Sequence, residues 1–71
     1  MEETRQEKFK RLATKRTNAA LESLRLLGNL SNRANYDYTD EEVRKIFKAI
    51  DKQLRTTKLR FSTKKSKKFQ L

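Results

Sequence analysis

Apolar residues recur along the chain at spacings of three and four, which is the period of an α-helix that buries one side. In the first half of the chain this pattern predicts a helix from about Glu3 to Leu27 with one broad apolar face. The face comprises Phe9, Leu12, Ala13, Ala20, Leu24 and Leu27. Leu21 and Leu26 lie on its flanks. The apolar surface is therefore wider than packing against a single neighbouring helix requires.

A second helix is predicted from Thr39 to about Phe61, and its start carries the clearer signal. In the segment YTDEEV, Thr39 can accept a hydrogen bond from the amide of Glu42 while the Glu42 carboxylate accepts from the amide of Thr39, a capping box. Tyr38 and Val43 are placed to form the accompanying hydrophobic staple. The helix then carries a narrow apolar stripe suited to helix-on-helix packing. The stripe comprises Val43, Ile46, Phe47, Ile50, Leu54, Thr57 and Phe61.

The connector, residues 28–38, separates the two predicted helices. Gly28 is predicted to end the first helix in a left-handed turn, with an extra helical turn through GNLSN as the alternative. Asn29, Asn32 and Asn35 favour Asx turns and tolerate left-handed backbone. Two long helices joined by such a connector are predicted to form an antiparallel hairpin.

We therefore predict an all-α fold, with a helical hairpin over residues 1–61 and a basic flexible tail over residues 62–71. A single hairpin has only one interface in which to bury its apolar faces, and the broad face of the first helix would stay partly exposed. We expect the hairpin to be completed as a four-helix bundle, either by a second copy of the chain or by docking on a larger protein.

The charge balance points to the kind of partner. The chain carries 19 Lys and Arg against 9 Asp and Glu, a net charge of +10, and its pI is about 10.3. This excess favours nucleic acid or a nucleoprotein complex, with an anionic membrane surface ranked below and a merely solvated basic surface as the plain alternative. The predicted tail contains no acidic residue, and its basic residues are Lys64, Lys65, Lys67 and Lys68.

The residue types that are missing exclude most catalytic chemistry. The chain has no cysteine and no histidine, which removes disulfides, thiol nucleophiles, the common zinc sites and every triad that needs an imidazole. We expect a non-enzymatic protein without a cofactor or a bound metal. Its apolar runs are too short for a secretion signal or a membrane span, so we expect a soluble, cytoplasmic protein.

Candidate nucleic-acid contacts lie mainly on the outer face of the second helix, although solvation alone also explains exposed basic residues there. They are Arg44, Lys45, Lys48, Lys52 and Arg55. Acidic residues four positions earlier support two of them, as Glu41 to Lys45 and Asp51 to Arg55. Arg16 falls inside the apolar arc of the first helix. Its stem could cover that face while the guanidinium reaches solvent or a carboxylate, or it could bind a phosphate.

In the connector, Arg33 stands near Tyr36 with amide side chains on either side. A cation, an aromatic face and hydrogen-bonding groups are what unpaired RNA bases use for stacking and edge recognition. Packing of Tyr36 and Tyr38 over the open end of the hairpin is the structural alternative. Sequence-specific DNA reading is disfavoured, because the usual recognition helix needs a short turn between steeply crossing helices. RNA is therefore ranked above DNA.

The layout also resembles the plasmid repressor-of-primer family over about residues 6–61, including the acidic helix start after the connector and the closing LRF. That family consists of short chains whose helical hairpins dimerise into a four-helix bundle and hold a pair of RNA hairpins. The resemblance implies the same fold and an RNA partner. This connector is longer and richer in asparagine, and no RNA-binding residue is carried over. The string KRTNAALESLRLLGNLSNRANYDYTDEEVRKIF is also similar to short uncharacterised bacterial proteins.

Two functional hypotheses follow from these patterns. The first is a small basic helical module that binds RNA or associates with a nucleoprotein complex. The second is an accessory or inhibitor subunit that docks on a larger protein through a leucine-rich face. The residues that would form this face are Leu21, Leu24 and Leu26.

Overall fold

The computed structural model of this chain describes the backbone of residues 2–66 and the side chains of residues 2–62. Within this part the chain forms two α-helices and no strand: α1 spans Arg5–Gly28 and α2 spans Asp40–Ser66, with a short 3-10 helix, Asn29–Ser31, after α1. The all-α prediction is confirmed. The chain divides into two units, Met1–Asp37 and Tyr38–Leu71, so that each unit contains one α-helix. The antiparallel pairing of the helices stays a prediction.

The start of α1 is fixed by a capping box that the sequence prediction did not use. The Thr4 hydroxyl accepts a hydrogen bond from the amide of Glu7 at 3.0 Å, and the Glu7 carboxylate accepts from the amide of Thr4 at 3.0 Å. These two bonds satisfy amides that the first helical turn leaves without intrahelical partners. The segment TRQE carries the same spacing as TDEE, so the signal was present in the sequence.

The end of α1 differs from the prediction at Gly28. This residue is right-handed, with φ −61° and ψ −27°, and none of the described residues, glycine included, has a positive φ. The amide of Asn29 bonds the carbonyls of Arg25, Leu26 and Leu27, so the chain tightens into 3-10 geometry. The left-handed stop was therefore wrong, and the alternative of a further turn through GNLSN is confirmed.

The turn after the 3-10 helix is organised by Asn32. Its side-chain oxygen accepts from the amide of Ala34 at 2.9 Å, which is an Asx turn. Its carbonyl oxygen accepts from the amides of Asn35 at 3.1 Å and Tyr36 at 3.0 Å. The predicted Asx turn is thus confirmed at Asn32. Asn29 has a different role, because it begins the 3-10 helix.

The capping box predicted for α2 is confirmed. The Thr39 hydroxyl accepts from the amide of Glu42 at 3.1 Å, and the Glu42 carboxylate accepts from the amide of Thr39 at 2.8 Å. Tyr38 and Val43 are both half-buried, and the staple contact between them stays a prediction. The acidic residues of the first turn lie at the positive end of the helix dipole, where they stabilise it.

The α2 helix continues beyond its predicted end at Phe61 and runs to Ser66. The Ser62 hydroxyl lies 3.4 Å from the carbonyl oxygen of Leu59 and 3.5 Å from that of Lys58, so it bonds the preceding turn of the helix. Residues 62–66, assigned by the sequence to the flexible tail, are therefore helical. Residues 67–71 of that tail lie outside the described residues. In the described part of the chain, no helix is long and apolar enough to cross a membrane.

The contribution of the Thr39 cap to the free energy of unfolding should be measurable. Thr39→Ala removes the acceptor for the amide of Glu42 and is expected to lower the free energy of unfolding by about 1 kcal/mol. Thermal unfolding followed by circular dichroism would measure the loss. Thr56→Ala is the matched control, because Thr56 is exposed within α2 and alanine is the better helix former there. Equal stability of Thr39→Ala and the unaltered chain would contradict the capping argument.

Candidate nucleic-acid interface

Five cationic side chains line one side of α2, and we call this surface the basic ridge. At about 100° per residue its members fall within an arc of about 100°, and at 1.5 Å per residue they extend over roughly 16 Å. All of them are exposed. The basic ridge comprises Arg44, Lys45, Lys48, Lys52 and Arg55. These five predicted contact residues therefore share one accessible helix face.

The apolar stripe of α2 lies on the side opposite the basic ridge. Val43 and Ile50 are half-buried members of this stripe, whereas its other members are exposed. Thr57 fits among them because its hydroxyl donates to the carbonyl of Gln53, 2.8 Å away, within its own helix. Since the two faces point in opposite directions, α2 can pack through the stripe and still present the basic ridge.

The ion pairs of the ridge differ from those predicted. Glu41 approaches Arg44, with 3.8 Å between the carboxylate and the guanidinium, rather than Lys45. Residues three and four positions apart on a helix are both within reach, so the spacing alone does not select the partner. Among side chains 2–62, neither the Glu41–Lys45 nor the Asp51–Arg55 pair is formed. Four of the five ridge cations thus have no carboxylate partner in the described part.

Two arginines of α1 are already paired with carboxylates. Arg11 donates twice to Glu3, at 2.8 and 3.0 Å, and Arg25 donates twice to Glu22, at 3.0 and 2.6 Å. The hydrogen bond from Arg11 lowers the pKa of Glu3, and that from Arg25 lowers the pKa of Glu22. The same bonds raise the pKa of each arginine. Arg11 and Arg25 of α1 are therefore each held by a neighbouring carboxylate.

Only one of these two ion pairs could have been predicted from the spacing of its residues in the sequence. Glu22 and Arg25 are three residues apart on one helix, a spacing that favours contact. Glu3 precedes α1, outside the helical register, and its carboxylate nevertheless reaches Arg11, eight residues further along the chain. No helical spacing rule would have identified that second pair.

Arg16 is exposed, although its position falls within the apolar arc of α1. None of the carboxylates in residues 2–62 forms an ion pair with it. The sequence offered two interpretations: the stem of Arg16 covers the apolar face while its guanidinium reaches solvent or a carboxylate, or the guanidinium binds a phosphate. Pairing with a carboxylate is not seen within the described residues, and the exposed guanidinium is compatible with the solvent alternative. An exposed guanidinium on an otherwise apolar face remains a candidate for phosphate binding.

The two candidate residues of the connector lie in the turn organised by Asn32. Arg33 is exposed, and Tyr36 keeps 47% of its surface accessible. Tyr38, by contrast, is half-buried beside the start of α2. The two tyrosines therefore differ in their exposure, and Tyr36 is the more accessible of them.

The predicted leucine-rich face of α1 is also accessible. Leu21, Leu24 and Leu26 are exposed by 58%, 43% and 51%. The sequence interpretation did not single out Leu59, which falls on the ridge side of α2 and is 56% exposed. Exposed leucines at these positions provide apolar contact area for a macromolecule.

The tail candidates are only partly described. Lys64 and Lys65 belong to the last turns of α2. Lys67 and Lys68 lie outside the described residues.

The candidate interface is a surface rather than a cavity. A depression of about 230 Å³ on α2 is lined by Asp51, Leu54, Arg55 and Lys58. Pockets that enclose a small molecule are usually larger, roughly 300–1,000 Å³. This depression is therefore smaller than a typical small-molecule site.

Comparison with known proteins adds no assignment: no protein-family model, curated protein or solved structure matches this chain. The resemblance to the repressor-of-primer family stays a prediction.

Proposed function

We propose that this chain is a non-enzymatic helical module that binds RNA, alone or within a nucleoprotein complex. The observation that carries the proposal is the basic ridge of α2, where four of five exposed cations have no carboxylate partner among the described residues. Exposed cations without a carboxylate partner are neutralised by small counterions, which a phosphate can displace. The release of these counterions provides most of the free energy of nonspecific nucleic-acid binding.

RNA is the proposed nucleic acid because phosphate contacts by themselves do not distinguish RNA from DNA, whereas the Asn32 turn offers a further contact. Its exposed Tyr36 suits an unpaired base, and splayed bases in loops and bulges are the usual targets of sequence-specific RNA recognition. The basic ridge would contact the backbone and the turn would add selectivity. Arg16 and the lysines of the tail would add further phosphate contacts.

The proposed architecture is an antiparallel hairpin of α1 and α2, completed as a four-helix bundle by a second copy of the chain or by docking on a larger protein. The apolar stripe of α2 and the broad apolar face of α1 both support this arrangement, because helices with such faces become stable when they pack together. In it the basic ridge would lie on the outside.

A second candidate function is that of an accessory or inhibitor subunit on a larger protein. The exposure of Leu21, Leu24 and Leu26 favours it. Leu24 belongs to the broad face of α1, and Leu21 and Leu26 lie on flanks that a single paired helix does not cover. In this case the positive charge would assist solubility and association rather than bind RNA.

The salt dependence of RNA binding tests the proposal. Fluorescence anisotropy with a labelled single-stranded RNA would give the binding constant between about 50 and 200 mM salt. If all five ridge cations bind phosphates, a slope of log K on log salt of roughly −3 to −4 is expected, at about −0.7 per phosphate on a single strand. No measurable binding, or a slope near zero, would contradict the proposal and favour the accessory subunit.

A further inference from the structure

The Asn32 turn, a segment without glycine or proline, is closed by hydrogen bonds to one residue. Three consecutive amides, from Ala34 to Tyr36, donate to oxygens of the single residue Asn32. One bond goes to its side chain at 2.9 Å, and two go to its carbonyl at 3.1 and 3.0 Å. The backbone that carries Tyr36 is therefore fixed locally, by bonds that span at most four residues.

Tyr36 is held by this turn with its side chain accessible. It retains 47% of its surface, and its neighbours Asn35 and Asp37 are exposed polar residues. A tyrosine has only two side-chain torsions, so an exposed ring on a fixed backbone loses little conformational entropy when it meets a ligand. Every nucleobase offers a flat face of matching chemistry.

From this geometry we propose that Tyr36 stacks on an unpaired RNA base and that Asn32 is the residue that positions it. The inference rests on the proposed function, and it specifies the ligand as a single-stranded segment. A base inside a duplex has both faces covered by its neighbours, so duplex RNA offers Tyr36 no stacking surface along its length. Tyr36 contacts the base directly, whereas Asn32 acts only through the backbone of the turn.

Binding measurements on variants would test the two roles. With single-stranded oligouridine as the probe, Tyr36→Ala is expected to weaken binding roughly tenfold, within the range reported for loss of one stacked base. Tyr36→Phe keeps an aromatic face and should bind as the unaltered chain does. Asn32→Ala should weaken binding by less than Tyr36→Ala, since the carbonyl bonds remain, and Asn32→Ser should recover part of the loss through its own acceptor.

A fluorescence experiment reports on the stacking contact itself. The chain contains no tryptophan, so Tyr36→Trp introduces a probe that can be excited beyond the absorption of RNA. Oligouridine should quench its emission, because a stacked base contacts the indole. Tyr38→Trp is the matched control, since Tyr38 is half-buried beside the cap of α2 and should not be quenched. Quenching of both probes, or of neither, would overturn the inference.

Duplex RNA of the same length separates this inference from the proposed function. The expected result is that Tyr36→Ala weakens binding to oligouridine and leaves duplex binding unchanged. Equal losses on both probes, or no loss on oligouridine, would overturn the role of Tyr36 alone. Unchanged binding after loss of the ridge charges would instead overturn the proposed function. If Tyr36→Ala fails to fold, the quenching of Tyr36→Trp decides the question.

Discussion

Replacing Lys48, Lys52 and Arg55 together with glutamine is expected to weaken RNA binding roughly 100-fold at about 0.1 M salt. Each phosphate contact on a single strand contributes about 0.7 to the salt slope, so three lost contacts remove about two decades of affinity at that concentration. The slope itself should become shallower by about 2. Anisotropy titrations of the variant at several salt concentrations measure both quantities.

The matched control removes the same charge from α1. Replacing Lys8, Lys10 and Lys15 with glutamine lowers the net charge equally, but these side chains lie outside the basic ridge. A much smaller loss of affinity is expected, because only the long-range field is reduced. Equal losses in the two triple variants would show that net charge, rather than the ridge, determines binding. Circular dichroism would confirm that both variants remain helical.

Ile50→Asp is expected to unfold the proposed helical bundle or to weaken it by about 3 kcal/mol or more, the usual cost of losing a packed aliphatic side chain. Ile50 lies in the middle of the apolar stripe and is one of its half-buried members. In the proposed bundle a carboxylate there would have to be buried without a partner. Chains of this size have little stability to spare, so the loss would be visible as a lower and broader thermal transition.

Circular dichroism melting and sedimentation equilibrium over a range of protein concentrations would measure this effect. Leu59→Asp is the control, since it places the same charge on α2 at an exposed leucine on the ridge side. The control should melt and associate as the unaltered chain does. If Ile50→Asp behaves like the unaltered chain, or if both variants lose helicity equally, the stripe is not the packing surface.

Local features of the fold were accessible to sequence reasoning where they depend on residues three or four apart. The Thr39 capping box was predicted and confirmed, and the equivalent box at Thr4 could have been predicted by the same rule. The Asx turn at Asn32 belongs to the same group. In each case a short side chain competes for a nearby amide, and the outcome depends on few alternatives.

Other features depended on a choice between conformations of similar energy. Gly28 can adopt either hand, and its residue type favoured the left-handed stop, yet the tighter 3-10 turn satisfied the helix carbonyls without it. Glu41 could reach Arg44 or Lys45, and the nearer cation in sequence became its partner. When two conformations have nearly the same energy, the surrounding contacts determine which one is adopted, and the spacing of residues in the sequence does not.

The sequence by itself determined the helical class, the two helix starts, the Asx turn and the cationic side of α2, because periodicity and capping act over single turns. Only the three-dimensional structure decided which cations stay unpaired, how far each helix runs and which tyrosine is exposed. Those outcomes depend on competition between side-chain and backbone conformations of similar energy, as at Glu41 and at Gly28. The sequence alone therefore does not show which cations can bind a partner. An arginine paired with a carboxylate and an unpaired arginine are the same residue type in the sequence.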